Sequence, residues 1–148
     1  MTYTWIRDDD LEKYKPATQV YGVVFNKRGE ILVAREKPTD KWQIPGGKPE
    51  AGESIEDTVR RELKEEVDVK AGKVFPLGAQ KVEMPENPSR LEGKLFYQLR
   101  CVVFLDKLLP QTPDPASGNT WERKFVPAEK ITDYVKWGGQ VKPCLKTQ

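Results

Sequence analysis

Three glutamates, Glu62, Glu65 and Glu66, stand three and four residues apart within residues 54–67, a stretch free of glycine and proline. On an α-helix that spacing makes their side chains neighbours. With Ile55 taken as zero on a wheel of about 100° per residue, Val59 falls at about 40°, Leu63 at about 80° and Val67 at about 120°. Those residues form the stripe a helix buries. Glu66 falls at about 20° and Glu62 at about −20°, overlapping that stripe, and Glu65 at about −80° lies at its edge. Asp57, Arg60, Arg61 and Lys64 take the solvated side, at about 140° to 240°. A helix rich in glutamate ordinarily displays its acids to water, where they pair with basic neighbours. Here two of the three lie against the core, where carboxylates repel one another and resist losing water. Something positive must offset them.

The chain of 148 residues contains no histidine, and its two cysteines, Cys101 and Cys144, form no CxxC pattern. A zinc site is therefore not expected. A hard divalent cation with oxygen ligands, Mg²⁺ or Mn²⁺, suits a set of carboxylates. The EF-hand loop spacing is absent, which argues against a calcium-binding helix. With 25 Lys and Arg against 23 Asp and Glu, the formal charge is +2. That near balance does not mark a nucleic-acid binder, so no specific nucleic acid is expected, although local basic clusters could still hold phosphates. Residues 1–15 are polar and acidic, unlike a secretory signal, and no apolar run approaches membrane-spanning length. Two free thiols suit a reducing, cytoplasmic setting.

Around the acidic helix the patterns place a strand at residues 18–25, a turn at 26–29 and a hairpin partner at 30–36. A short apolar piece at 42–45 leads into Gly46 and Gly47. Ser54 heads the helix, followed by acids suited to its first turn. Further strands are expected at 73–84, 94–105 and 121–126. The segment 109–118, rich in Pro, Ser and Asp, reads as a surface loop. A short helix is expected at 127–134 with Pro127 near its first position. Gly138, Gly139 and Pro143 limit helix in the tail. No repeat is present, and the length fits one domain over residues 1–148. Strands mixed with helices imply a sheet covered by helices.

The residues from Gly47 through Glu53, Arg61, Glu62, Leu63, Glu65 and Glu66 to Val69 resemble the Nudix box of MutT-like hydrolases, G-x5-E-x7-R-E-U-x-E-E-x-G-U, with U a bulky aliphatic residue. Every spacing matches. The lead-in from Trp42 through Gln43, Ile44, Pro45 and Gly46 to Gly47 is similar to the family's too, and the flanking strands extend the resemblance over most of the chain. One position departs: the family's glycine near the end of the box is Asp68 here. That glycine serves a left-handed residue closing the helix, which aspartate reaches at some cost.

The resemblance implies an α+β fold, an α/β/α sandwich with a mixed sheet between helices. It implies hydrolysis of a nucleoside diphosphate linked to another group, usually with Mg²⁺. Glu62, Glu65 and Glu66 would bind divalent metal. Arg61 would pair with Glu53 and hold the loop on the helix. Gly46 and Gly47 would let the backbone turn tightly and approach the metal. The cation would neutralise the diphosphate and lower the pKa of water for attack at phosphorus. A glutamate must take the proton, with Glu62, Glu83 and Glu122 as candidates. Arg35 and Lys48, near the box, are the candidates for phosphate contact, and Trp42, Phe96, Tyr97 and Trp121 for stacking on a base. For each of these an ordinary solvated or core side chain is the competing reading. Pro85 stands close to where ADP-ribose-cleaving relatives carry a proline, but loops favour proline anyway. The partner expected is a nucleotide-type small molecule. A homodimer is allowed, and the choice of substrate stays open. The competing functional reading is a Nudix-fold nucleotide-binding or regulatory module without catalysis.

Overall fold

The structure is a computed structural model that describes residues 1–85 and 94–135. The tail glycines, Pro143 and Cys144 lie outside the described residues. In chain order the elements are β1 (Thr2–Arg7), β2 (Ala17–Phe25), β3 (Glu30–Arg35), β4 (Gly46–Gly47), α1 (Ile55–Val67), β5 (Val69–Met84), β6 (Lys94–Leu108) and β7 (Glu122–Pro127). A 3-10 turn (Ala128–Lys130) and α2 (Ile131–Tyr134) follow. The strands form one sheet in the order β1-β5-β6-β2-β3-β7, with β4 paired to β2. The pairing of β2 with β6 is parallel and the others are antiparallel, so the sheet is mixed as expected.

Each face of the sheet has its own core, because successive residues of a strand point to opposite sides. Val20 and Val24 of β2, Leu32 and Ala34 of β3, and Leu99, Cys101 and Val103 of β6 pack with Val59, Leu63 and Val67 of α1. Each of these buried helix side chains contributes about 2 kcal/mol through apolar burial. Val23, Ile31, Val33, Ile44 and Val126 pack with Ile131 and Val135 on the opposite face. The result is the layered α/β/α arrangement.

Three differences from the sequence reading have physical causes. Residues 2–7 form an edge strand, β1, that polarity alone did not suggest; one side of it stays open to solvent. Strands β5 and β6 run longer than expected. Register shifts near Lys70, Ala71 and Pro76 absorb Gly72 and Pro76, residues that otherwise argue against a strand. The short C-terminal helix splits into the 3-10 turn and a single α-turn, with Pro127 preceding both. No helix among the described residues is long and apolar enough to cross a membrane.

Candidate functional site

The site begins at the start of α1. Ser54 caps it, its side chain accepting from the Asp57 N–H at 3.1 Å, and Glu12 accepts from the Ile55 N–H at 3.0 Å. Two otherwise orphaned backbone donors are thereby satisfied. The buried Thr58 hydroxyl donates to Glu53 at 3.0 Å and fixes that carboxylate against the helix. Glu53 in turn meets both arms of the Arg61 guanidinium, Nε at 2.7 Å and Nη2 at 3.0 Å. This bidentate pair ties the loop before the helix to its middle, and Arg61 Nη2 also reaches the Lys48 carbonyl at 3.0 Å.

Arg61 was placed on the solvated side by the wheel. In the structure its guanidinium folds back into the acids: Nη1 donates to Glu62 at 2.9 Å and to Glu65 at 3.2 Å. Exposure of the three glutamate side chains falls with depth: 37% for Glu65, 15% for Glu62, and 7% for the whole Glu66 residue. Glu66 accepts from the Gly46 N–H at 3.2 Å, through β4. A Cβ on Gly46 would overlap the Val20 carbonyl and Tyr21 Cα, so only glycine lets the chain pass there, while one on Gly47 would displace the Glu62 carboxylate.

Burial raises the Glu66 carboxyl to about 8, against the opposing Gly46 hydrogen bond, with the negative charges of Glu62, Asp114 and Glu36 adding to it. Burial likewise pushes Glu62 upward, while Arg61 pulls it down. Glu53 goes the other way, to about 2, because Arg61 hydrogen-bonds its charged form. The donor set fits a hard divalent cation: it consists of carboxylate oxygens, and the deepest one sits where a negative charge is poorly tolerated. Among the described residues no three potential ligands converge as a ready metal cluster. The reason is visible, since Glu62 and Glu65 both turn to Arg61. Gathering them on a cation requires that side chains release the guanidinium.

The structure also brings in a residue that sequence reasoning passed over. Asp114, from the segment taken as a surface loop, is buried and close enough to act on Glu62 and Glu66. It accepts from the Trp121 indole N–H at 3.0 Å and the Ala116 N–H at 2.9 Å. Nothing local in a Pro- and Ser-rich stretch signals this, because the placement comes from Asp68. Asp68 takes the left-handed conformation at the helix end (φ 53°), and its carboxylate accepts from the Thr112 N–H at 2.9 Å and Thr112 Oγ1 at 2.6 Å. Arg123 completes the closure, donating to the carbonyls of Val67, Asp68 and Leu109.

Other candidates lie elsewhere. Arg35 is held by Glu122, Nε at 2.6 Å, and stacks on Trp42 at 4.3 Å. Lys124 covers the same ring at 4.4 Å. The Lys48 side chain is exposed. Glu83 lies five residues along β5 from Gly78, at the level of Leu95, well away from the strand row of Gly46. Trp121, a stacking candidate in the sequence, is buried in the α1-side core with its N–H engaged. Tyr97 tilts against Tyr14 at 5.3 Å. Phe96 lies beneath Lys94 at 5.6 Å.

A family model of the NUDIX domain matches residues 15–144. The RNA pyrophosphohydrolase of Hydrogenovibrio crunogenus is 33% identical over 140 residues, covering 84% of this chain and 83% of that protein. The RNA pyrophosphohydrolase of Halorhodospira halophila is 32% identical over 104 residues, covering 68% and 56%. For that of Actinobacillus pleuropneumoniae the values are 34% over 97 residues, 63% and 45%. The chain thus spans about half the length of these last two relatives. Among solved structures, a variant of the Bacillus subtilis pyrophosphohydrolase BsRppH superposes with a TM-score of 0.71 at 19% identity, covering 97% of this chain and 87% of that one. The MutT protein of Methanosarcina mazei gives 0.55 at 23% identity, covering 93% and 95%. At these identities the structural likeness concerns the fold.

Proposed function

Because this chain belongs to the Nudix family, whose members use divalent cations, we propose that it is a pyrophosphohydrolase. It cleaves a nucleoside diphosphate joined to another group, by attack of water at phosphorus. The observation that carries this reading is Glu62 and Glu65 gathered on one guanidinium, with the buried Glu66 held by Gly46, where the close approach to β2 requires glycine.

Glu62, Glu65 and Glu66 are the residues that would hold Mg²⁺ or Mn²⁺. When bound, the cation neutralises the diphosphate and makes water a better nucleophile at neutral pH. Glu62 accepts the proton of the attacking water. Its upward-shifted carboxyl, beside Glu65 and Asp114, makes it a stronger base than a free glutamate. Arg61 positions these groups, locking the helix to the loop through Glu53. Gly46 and Gly47 keep the backbone low so that a phosphate can approach. Arg35 and Lys48 contact the substrate's phosphates as it enters. The chain works as one domain in a reducing, cytoplasmic setting.

A second reading concerns the group attached to the diphosphate. The relatives' printed name, RNA pyrophosphohydrolase, favours the 5′ end of an RNA. So does Trp42 with both Arg35 and Lys124 against its ring, since basic groups beside an aromatic ring suit single-stranded nucleic acid.

The test is a phosphate-release screen with Mg²⁺ or Mn²⁺ over nucleoside triphosphates, ADP-ribose, a nucleotide sugar, a dinucleoside polyphosphate and a 5′-triphosphorylated RNA. Turnover of at least one, abolished by chelation, is expected. A folded chain that turns over none of them would instead be a silent nucleotide-binding module.

A further inference from the structure

The segment joining β6 to β7, residues 109–121, contains no lysine or arginine, yet it carries a buried acid. Asp114 is 6% exposed. Its carboxylate accepts from neutral donors, the Trp121 indole N–H at 3.0 Å and the Ala116 N–H at 2.9 Å. Among the described residues it makes no ion pair. The guanidiniums of this region are spent elsewhere, Arg61 on Glu53, Glu62 and Glu65, and Arg123 on the carbonyls of Val67, Asp68 and Leu109. The charges that bear on Asp114 are instead those of Glu62 and Glu66. A carboxylate withdrawn from water beside other acids needs a positive partner.

The backbone around Asp114 is shaped from within. Its N–H donates to the Asn119 carbonyl at 2.8 Å, and the Gly118 N–H donates back to its carbonyl at 2.7 Å. Gln111 Nε2 ties the start of the segment to its end at the Trp121 carbonyl, 2.6 Å away. The attachment to α1 runs through Asp68. Its carbonyl accepts from the Leu109 N–H at 2.8 Å, and its carboxylate accepts from the Thr112 N–H at 2.9 Å and Thr112 Oγ1 at 2.6 Å. Pro113 stands between Thr112 and Asp114, and Pro115 follows. Proline fixes φ, so a hold on Thr112 is passed on to Asp114 with little slack. Asp68 comes two residues after Glu66, so one helix end sets both acids. The glycine of the Nudix pattern would close the helix equally well and offer Thr112 nothing.

We propose that Asp68 is a positioning residue of the hydrolytic site: through Thr112 it holds Asp114 beside Glu62 and Glu66, as a further carboxylate toward the divalent cation. The side chain that departs from the family pattern thereby adds to the site a charge that a glycine would leave unplaced. Affinity of an oxygen-ligand site for a hard cation rises with the number of charged ligands and with the rigidity of the site, and the hold on Thr112 supplies both. This inference rests on the reading of Glu62, Glu65 and Glu66 as the residues that hold the cation.

The experiment titrates Mn²⁺ into the whole chain by calorimetry, comparing wild type, Asp68→Gly, Asp114→Asn and the double variant. The Trp121 indole N–H, assigned with Trp121→Phe, is followed in ¹H–¹⁵N spectra of the metal-free proteins. Asp114→Asn is expected to weaken Mn²⁺ binding about tenfold, and Asp68→Gly about threefold or more. The double variant is expected to bind within about twofold of Asp114→Asn alone, because both changes remove the same contribution. Asp68→Asn keeps an acceptor for Thr112 and tolerates the left-handed conformation, so it is expected to recover part of the loss. The indole resonance is expected to move in Asp68→Gly, where its acceptor Asp114 is released. Wild-type affinity in Asp68→Gly, losses that multiply in the double variant, or an indole resonance unmoved by Asp68→Gly overturns the proposal. If Asp68→Gly does not fold, Thr112→Val, which removes only the hydroxyl donor, takes its place in the same comparison. Weakening by Glu65→Gln and Glu66→Gln with none by Asp68→Gly or Asp114→Asn would sink this inference and leave the cation reading standing. No Mn²⁺ binding by the wild type would sink both.

Discussion

Arg61 is asked to do more than any other side chain. One guanidinium joins Glu53, Glu62, Glu65 and the Lys48 carbonyl, using most of the five donors it owns. Arg61→Ala should therefore lower both the melting temperature and the rate, because the loop is released and the acids lose their organiser; an unchanged melting temperature would contradict the Glu53 tie. Glu65→Gln and Glu66→Gln should cut hydrolysis by about two orders of magnitude or more while leaving the fold intact. Circular dichroism and a rate assay check both halves. Glu66 also makes stability depend on pH. Burial lifts its carboxyl from 4.5 to about 8 in the folded chain. Across that interval the native chain keeps a proton that the unfolded chain has released. The contribution of Glu66 to stability is therefore fully present below about 4.5 and is lost as pH rises to about 8. In chelator, denaturation midpoints of the wild type should decline over that range, and Glu66→Gln should flatten the decline. Parallel curves for the two proteins would contradict this.

At the scale of elements, α1 was readable because its cause is periodic: Val59, Leu63 and Val67 repeat, Ser54 caps, and the acids fall where the stripe falls. Its far end was not, because the closure is non-local. Asp68 stands where the family carries glycine, which read as a small liability. The structure shows its carboxylate holding Thr112 by two hydrogen bonds and Arg123 gathering three carbonyls beneath it. The strain of the left-handed residue is offset by that grip, which also sets Asp114 beside the acids. Asp68→Gly should therefore destabilise, by about 1 to 2 kcal/mol, since two hydrogen bonds to a charged group outweigh relief of the backbone. Thermal unfolding tests it; a rise in melting temperature would show that the glycine is the better residue here.

At the scale of the molecule, a sheet covered by helices followed from strand and helix patterns, while the mixed sheet between two helical layers followed from the resemblance to the Nudix family. What stayed hidden depended on partners distant in sequence. The edge strand β1 exists because Trp5 and Ile6 find β5, seventy-odd residues away. Trp121 was open to stacking or to core packing and is core, because β7 pairs with β3 and turns it inward. Cys101 looked like an ordinary thiol. It lies in the α1-side core, and burial pushes its thiol up to about 12. A thiol that stays protonated at neutral pH is a poor nucleophile. Alkylation of the native chain should leave the Cys101 peptide unmodified in mass spectrometry and label it after unfolding. Rapid labelling of the native chain would mean that the sheet opens there.

The proposal common to these three scales is that Glu62, Glu65 and Glu66 would hold a divalent cation. Manganese titration by isothermal calorimetry, with wild type beside Glu65→Gln and Glu66→Gln, tests that most directly. The account predicts saturable Mn²⁺ binding that weakens about tenfold or more in each variant. Undiminished binding in both variants would contradict it.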